Sequence, residues 1–384
     1  VNQLDQLGQS GQYFATVARG LESLAAQELE GLGAESVTLG FCGVSFRGDR
    51  SLLYRVNLWA RLPFRILMQI HQFPCLDAPA LYRGIQTIDW QQYLTPKHSL
   101  AVSATGGNSQ LNHTHFTALQ VKNAIVDQQQ RVWGDQSPVD TQEPDLRINV
   151  FIDKEDLCTV SLDSSGSSLH RRGYRPAVGQ APLKESLAAA LVQLSGWQPE
   201  VPFLDPLCGS GTLPLEAALK ALDMAPGLFR ERFGFETWTD FDAQLFDRLL
   251  EEASARQKFL LPAPIFGSDI DSRVIKQAIT NAENCGVDRQ VQFTCTELAH
   301  LEAPADQGVL VCNPPYGERI GRDQELSGLY KLLGDVMKRR FKGWTAFVLS
   351  GNRELTKAIG LKPSQQTQIF NGNLPCQFLK YELY

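Results

Sequence analysis

The chain lacks the cysteine spacing of metal and redox proteins. Its eight cysteines, at positions 42, 75, 158, 208, 285, 295, 312 and 376, contain no C-x-x-C pair, which removes the usual zinc and thioredoxin-like motifs. Reduced, mostly buried thiols and no bound metal are the expectation. No apolar run approaches the roughly 20 residues of a membrane-spanning helix. The opening Val1-Asn2-Gln3-Leu4-Asp5 has neither the basic nor the apolar region of a secretory signal, so a cytoplasmic location is expected. The chain also has no internal repeat, no G-x-x-x-x-G-K-[ST] and no G-x-G-x-x-G, so the mononucleotide and dinucleotide fingerprints are both excluded. Positive charge is not in excess either: 36 Lys and Arg face 42 Asp and Glu, for a formal charge of -6. That balance argues against attraction of a polyanion to the whole surface, although a local basic patch can serve on an acidic protein. Two candidate patches are His170-Arg171-Arg172-Gly173-Tyr174-Arg175 and Lys338-Arg339-Arg340-Phe341-Lys342.

What is present is an ordinary globular composition, 43% apolar and 20% charged over 384 residues, long enough for two or three domains. The pattern changes near residues 163 to 181. Before it, strand-like runs at 13–18, 37–46, 66–73 and 100–104 mix with amphipathic helices at 20–32 and 113–133. A hairpin is predicted over 146–152 and 157–162, around Asp153-Lys154-Glu155-Asp156. The mixture is α+β. After the Ser/Gly-rich 163–168 stretch and a helix over 184–194, strand and helix alternate, as in a parallel sheet covered on both faces. Strands are predicted at 201–205, 264–269, 290–295, 308–312 and 344–350, with helices at 212–222, 273–285 and 325–340. Asn371-Gly372-Asn373 then marks a closing antiparallel hairpin between 367–370 and 376–383.

Three strand ends in the second half hold candidate chemistry. Asp205-Pro206-Leu207-Cys208-Gly209-Ser210-Gly211-Thr212 is a glycine-bearing loop opening a helix, where a missing side chain lets backbone approach a cofactor. A plain β–α turn or a phosphate loop would also use two glycines. Gly267-Ser268-Asp269-Ile270-Asp271 ends the next strand with acids able to accept hydrogen bonds from ribose hydroxyls. Asp269 suits that role better, since Asp271 also reads as a helix N-cap. Asn313-Pro314-Pro315-Tyr316 follows the fourth strand. Two prolines remove two backbone donors and leave an edge of acceptors. The Asn313 carboxamide and Pro314 carbonyl can accept both hydrogens of a planar amine, and Tyr316 offers a face for an unstacked base. Taken singly, each segment has a structural explanation; all three at one sheet edge point to a methyl-accepting amine.

These segments resemble class I methyltransferases of the amino-methylating type, marked by [DNS]-P-P-[YFW]. With Arg171-Arg172-Gly173-Tyr174-Arg175, Pro182-Leu183-Lys184-Glu185-Ser186-Leu187-Ala188, Asn313-Pro314-Pro315-Tyr316-Gly317-Glu318-Arg319, Ala18-Arg19-Gly20-Leu21-Glu22 and Phe41-Cys42-Gly43-Val44-Ser45-Phe46-Arg47-Gly48, the resemblance narrows to the THUMP-domain ribosomal RNA guanine-N2-methyltransferases and extends over nearly the whole chain. It implies a ferredoxin-like subdomain over 1–65, a THUMP RNA-binding domain over 66–165, a linker and helix over 166–198, and a Rossmann-like seven-stranded α/β methyltransferase domain over 199–384. The implied cofactor is S-adenosylmethionine. Cys208, Gly209, Ser210, Gly211 and Thr212 would surround its methionine part, Asp269 would bind its ribose, Glu297 would lie near its adenine amine, Leu183 and Lys184 would close over it, and Asp205 and Asp271 would also belong to the cofactor site. Arg171, Arg172, Arg175 and Arg319 would meet RNA. The implied partner is 23S ribosomal RNA or a pre-ribosomal particle, and the implied product 2-methylguanosine. Transfer-RNA guanine methylation, DNA adenine methylation and a non-catalytic RNA-binding assembly factor are the alternatives. Relatives are often fused to a second methyltransferase domain, so a chain ending at Tyr384 is expected to be either a stand-alone form or half of such an enzyme.

Overall fold

The computed structural model describes residues 10–175, 183–316 and 323–384, without the side chains of 323 and 324. Two compact units emerge from its contacts. The first comprises residues 1–17, 26–169 and 231–250, and the second 18–25, 170–230 and 251–384.

The first unit is built on strands β1 (Gly11–Thr16), β2 (Glu35–Gly40), β3 (Gly43–Gly48), β4 (Arg65–Pro74), β5 (Leu100–Gly106), β6 (Leu146–Ile152) and β7 (Leu157–Asp163). They form one sheet in the order β2-β3-β1-β4-β7-β6-β5, antiparallel except between β5 and β6. Helices α1 (Glu22–Gly31), α2 (Arg50–Trp59), α3 (Ala78–Gln86) and α4 (Thr114–Trp133) connect them, and α7 (Ala243–Ala255) starts in the segment that returns to this unit. In β1 the alternation Tyr13, Ala15 buries one face, as period-two patterning requires. Helix α2 is started by Asp49, whose carboxylate accepts from Leu52 N at 2.8 Å, and α4 stops at Gly134, which takes a left-handed φ of 63° that costs glycine nothing. The returning segment contributes Phe235, whose ring stacks on Tyr54 with centroids 4.3 Å apart.

The single run expected over 37–46 is two strands. Gly40 pairs with Gly43, leaving Phe41 and Cys42 as a two-residue reversal with Cys42 at φ 52°. A Cβ on Gly43 would lie 2.2 Å from the Phe14 ring, so glycine is needed for that close approach rather than to interrupt an apolar pattern. Four helices, α2, α3, α7 and the short α10 (Arg353–Ala358), were not anticipated.

The second unit holds β8 (Phe203–Asp205), β9 (Ile265–Asp269), β10 (Val291–Cys295), β11 (Val309–Cys312), β12 (Thr345–Ser350), β13 (Gln365–Asn371) and β14 (Leu374–Glu382), with α5 (Glu185–Leu194), α6 (Thr212–Ala221), α8 (Ser272–Asn284), α9 (Asp323–Arg340) and α10. The sheet order is β10-β9-β8-β11-β12-β14-β13. Its first five strands are parallel, and the Asn371-Gly372 hairpin adds β14 and β13 antiparallel. This is the expected Rossmann-like α/β sheet. Tyr330, Leu333 and Met337, one stripe of α9, and Phe341 just after its end pack with Leu310, Ala346, Val348 and Leu379 of the strands. Each such side chain contributes about 1.5–3 kcal/mol on burial. From β8 the chain adds β9 and β10 on one side and then β11 and β12 on the other, so the strand order reverses between β8 and β11, and in parallel sheets that switch point opens a crevice at the strands' carboxyl ends. No helix among the described residues is long and apolar enough to cross a membrane.

Candidate active site

Three loops meet at that crevice, after β8, β9 and β11. The loop leaving β8 is laced to its neighbours through backbone. Cys208 N donates to Ser268 O at 2.9 Å, Gly209 N to Asp269 Oδ2 at 2.9 Å, and Asn281 Nδ2 of α8 to Ser210 O at 3.0 Å. Gly209 and Gly211 have φ of 52° and 84°, a region that disfavours side chains. The two differ in their surroundings. A Cβ at Gly211 would press on Phe293 and Ala278 at 2.9–3.0 Å, whereas beside Gly209 there is open space. Thr212 then opens α6. Asp205 lies beneath, buried, accepting from Leu207 N at 3.0 Å. Burial pushes its carboxyl well above the usual range and the charge of Asp269 adds to this, against the opposing Leu207 N–H.

Asp269 is half-buried at the end of β9. Its Oδ1 accepts from Asp271 N at 3.0 Å and its Oδ2 from Gly209 N, which leaves a lone pair free on each oxygen for two hydroxyl donors. Asp271 caps α8 through Arg273 N at 2.9 Å and pairs with the Arg273 guanidinium at 2.7 Å. Those hydrogen bonds hold its carboxyl down to about 2, the behaviour of an N-cap. Glu297 is exposed on the loop after β10, next to Thr296, whose N–H donates to Asp269 O at 3.0 Å. Between the two aspartates, Ile270 is 66% exposed. An apolar side chain held in the open at a ligand-binding edge was missed in the sequence, where it falls just past the expected 264–269 strand and was given no role.

On the other side of the crevice Asn313 is half-buried, and its Oδ1 is buried with no hydrogen-bond partner among the described residues. Tyr316 is fixed from the closing hairpin. Asn371 Nδ2 donates to its hydroxyl at 2.9 Å, and Gly351 leaves room for its ring, since a Cβ there would approach Cδ2 to 3.1 Å. Burial pushes the phenol up to about 12. Asn371 is a second residue that the sequence did not offer as functional, because Asn-Gly was accounted for by the turn. The thiols of Cys208 and Cys312 are both raised by burial, with Asp205 adding in each case, so neither is a thiolate at neutral pH.

The basic segment before α5 requires correction. Arg172 is 1% exposed and its Nε lies 3.5 Å from Glu216 Oε1, an oxygen that also accepts from the Tyr174 hydroxyl at 3.1 Å. The Arg175 side chain is 8% exposed, paired with Glu185 at 3.4 Å and donating to Thr212 Oγ1 at 2.7 Å and Leu183 O at 3.3 Å. Both guanidiniums are occupied by interior acceptors, which does not fit the RNA contact expected of them. Burial, followed by the neighbouring cations Lys184 and Arg171, pushes His170 down to about 4. Of the predicted basic residues here, only Arg171 is exposed. In the other candidate patch Lys338, Arg339 and Arg340 end α9, where cations complement the helix dipole, and Arg340 binds Leu301 O and Glu302. Leu183 is buried and Lys184 exposed at the start of α5. Arg319, with Gly317, Glu318 and Pro182, lies outside the described residues.

Residues 172–380, more than half of the chain, match the family described as the RMKL-like methyltransferase domain. The chain belongs to that family. Residues 12–67 match an RlmL ferredoxin-like domain and 75–163 a THUMP domain. This RMKL-like chain is 55% identical to a Synechocystis sp. protein assigned as an RNA methyltransferase, over 97% of each. It is 43% identical to the ribosomal RNA large subunit methyltransferase K/L of Syntrophotalea carbinolica, over 97% of this chain but 53% of that enzyme. It therefore spans about half the length of the K/L enzyme. A methyltransferase crystallised with SAH superimposes with a TM-score of 0.88 at 31% identity, covering 98% of this chain and 99% of that one. The RMKL-like chain is a methyltransferase and its methyl donor is S-adenosylmethionine. The crevice fits that cofactor on its own geometry: open space beside Gly209, spare lone pairs on Asp269 and an uncovered Ile270.

Proposed function

We propose that the chain methylates the N2 amine of a guanine in 23S ribosomal RNA, free or in a pre-ribosomal particle, in the cytoplasm. The observation behind the reaction type is the buried Asn313 Oδ1 beside the crevice, which has no hydrogen-bond partner among the described residues. An acceptor buried without a donor costs about 1–3 kcal/mol, and a planar amine entering the crevice supplies the missing hydrogen. RNA as substrate is supported by the THUMP match over 75–163 and by the names of the Synechocystis and Syntrophotalea relatives. Guanine is supported by the family resemblance. A ferredoxin-like 1–65 and a THUMP 66–165 would hold the RNA, ahead of a 166–198 linker and the catalytic 199–384 domain.

When bound, S-adenosylmethionine supplies an electrophilic methyl group on its sulfonium sulfur. The 208–212 loop, with Asp205 beneath it and Leu183 and Lys184 alongside, would hold its methionine part, Asp269 its ribose hydroxyls, Glu297 the adenine amine and Ile270 the adenine face. Asp271 serves as the cap that orients α8 behind Asp269. Asn313 Oδ1 and the Pro314 carbonyl accept the two amine hydrogens, draw the nitrogen lone pair out of conjugation and oppose the positive charge that builds on nitrogen. Tyr316 supports the flipped base on its face, and the surplus proton leaves to solvent after transfer. Arg171 and Arg319 remain the candidate phosphate contacts.

The test is incorporation of labelled methyl from S-adenosylmethionine into separated 23S ribosomal RNA, transfer RNA and DNA, followed by mass analysis of the nucleoside. Label in 23S ribosomal RNA as 2-methylguanosine is expected. Label confined to transfer RNA or DNA, or recovered as an adenine derivative, overturns the substrate assignment.

A further inference from the structure

The guanidinium of Arg175 touches three residues on two pieces of chain at once. It donates to Thr212 Oγ1 at 2.7 Å, at the first residue of α6 directly after Gly211, and to Leu183 O at 3.3 Å, just before α5. It also pairs with Glu185, in the first turn of α5, at 3.4 Å. The partners are enclosed: Thr212 and Glu185 are both buried. Burial raises the Glu185 carboxyl, with Arg175 opposing that rise. The segment carrying Arg175 is itself anchored. Arg172 and Tyr174 share Glu216 of α6, Asn284 of α8 donates to Tyr174 O at 3.0 Å, and a Cβ on Gly173 would sit 1.9 Å from Phe229 O. A cation so held has no freedom to reach solvent, and hydrogen bonds from an ionised donor are the stronger kind.

We infer that Arg175 is a positioning residue for the cofactor, on the proposed reading of the 208–212 loop as the cofactor loop. Its planar fork fixes the spacing between the start of α6 and the start of α5, the two walls on either side of the methionine part. Lysine has the charge without the fork and cannot satisfy three acceptors in fixed directions. Arg175 thus acts on S-adenosylmethionine affinity from inside the protein and does nothing for RNA affinity, the opposite of what its place in a basic segment suggests.

The experiment uses the full chain. SAH affinity is measured by calorimetry, affinity for a 23S ribosomal RNA transcript by filter binding, and initial rates against each substrate. Arg175→Lys is expected to weaken SAH and raise KM for S-adenosylmethionine about 10- to 100-fold, the range of a lost charge-assisted hydrogen bond. RNA affinity should stay within about twofold. Thr212→Val removes only the hydroxyl and should weaken SAH in the same direction. The double variant should be no worse than the poorer single one, because both break one interaction. If Arg175→Lys fails to fold, Thr212→Val decides alone. Unchanged SAH affinity in the variant that folds, additive losses, or a loss confined to RNA would each overturn the inference. Asp269→Asn is the control for the loop itself. If Asp269→Asn weakens SAH and the Arg175 and Thr212 variants do not, the positioning role alone fails; if none weakens SAH, the cofactor loop has been misplaced.

Discussion

Asn313→Ala separates chemistry from stability, because the same atom acts in opposite directions on the two. Among the described residues Asn313 Oδ1 is buried without a donor, a penalty of about 1–3 kcal/mol that alanine does not have. Against this, alanine loses a few contacts at a half-buried position. The expected net change in stability is therefore small, between no change and a gain of about 2 kcal/mol, read as an unchanged or raised Tm. Catalysis moves the other way. The acceptor meets a nitrogen that becomes cationic, and deleting one oriented hydrogen-bonding group at a charge-developing atom costs about 100- to 1000-fold in kcat. SAH affinity should change less than about threefold, because the cofactor loop is fastened through Asp269, Ser268 and Asn281 rather than Asn313. Steady-state methyl transfer, SAH calorimetry and thermal melting on one preparation give all three numbers. A variant with kcat within threefold of the parent would refute the amine-polarising role. A variant that loses several degrees of Tm together with SAH binding would show Asn313 to be structural.

Asn371→Ala removes the shorter of the two hydrogen bonds that the closing hairpin gives the Tyr316 hydroxyl and leaves the long one from Cys376 Sγ at 3.9 Å. An interaction of about 0.5–1.5 kcal/mol is lost, so kcat/KM for RNA should fall roughly 3- to 10-fold with SAH affinity unchanged; equal losses for both substrates would contradict a role confined to the base. For pH, Tyr316 is raised by burial to about 12, with the Asn371 hydrogen bond opposing. A raised phenol keeps its proton through neutral and mildly alkaline pH, and the stability it contributes is complete below the unfolded value near 10 and declines as pH rises toward about 12. Difference absorbance of the parent against Tyr316→Phe should accordingly show no phenolate from this residue below about pH 11; a phenolate at pH 9 would mean an open, solvated ring.

The parallel half of the fold was legible because its signals are local. An apolar strand, a glycine or proline stop and a helix recur within short windows, so strand ends such as Asp205, Asp269 and Cys312 fall where periodicity puts them, and the strand order then brings all three to one edge. What was not legible depends on distant partners. Arg172 and Arg175 stand in a basic run by sequence, but Glu216 lies 44 residues from Arg172 and Thr212 lies 37 from Arg175; charge alone does not tell a solvated cation from one paired inside. Asn371 serves a tyrosine 55 residues away. Helix α3 was hidden for a related reason. It contains Pro79 and Gly84, poor helix formers, but the proline falls in the first turn, where its missing N–H is harmless. The glycine is required because a Cβ there would lie 2.1 Å from the Phe73 ring. Tertiary packing chose the residue that propensity penalises.

Burial beneath the proline loop also supports the proposal that the reaction runs through an amide rather than a thiolate. Cys312, Tyr330 and Tyr381 lie together in the core cluster against which Tyr316 packs, and Tyr330 shares a 3.0 Å hydrogen bond with Ser350. Burial raises the Cys312 thiol and both phenols above their ordinary values, so this floor carries no charge at neutral pH. In such surroundings an oriented dipole acts on a nascent cation more strongly than it does in water, and it needs no reorganisation to do so. On the proposed mechanism Asn313 and the Pro314 carbonyl supply that dipole. The same surroundings work against covalent catalysis by Cys312, since each pKa unit above ambient pH costs about 1.4 kcal/mol to form the thiolate. One physical cause, a dry and neutral floor, thus favours direct methyl transfer to a nitrogen and suppresses the nucleophilic cysteine that methylation of a base carbon would call for.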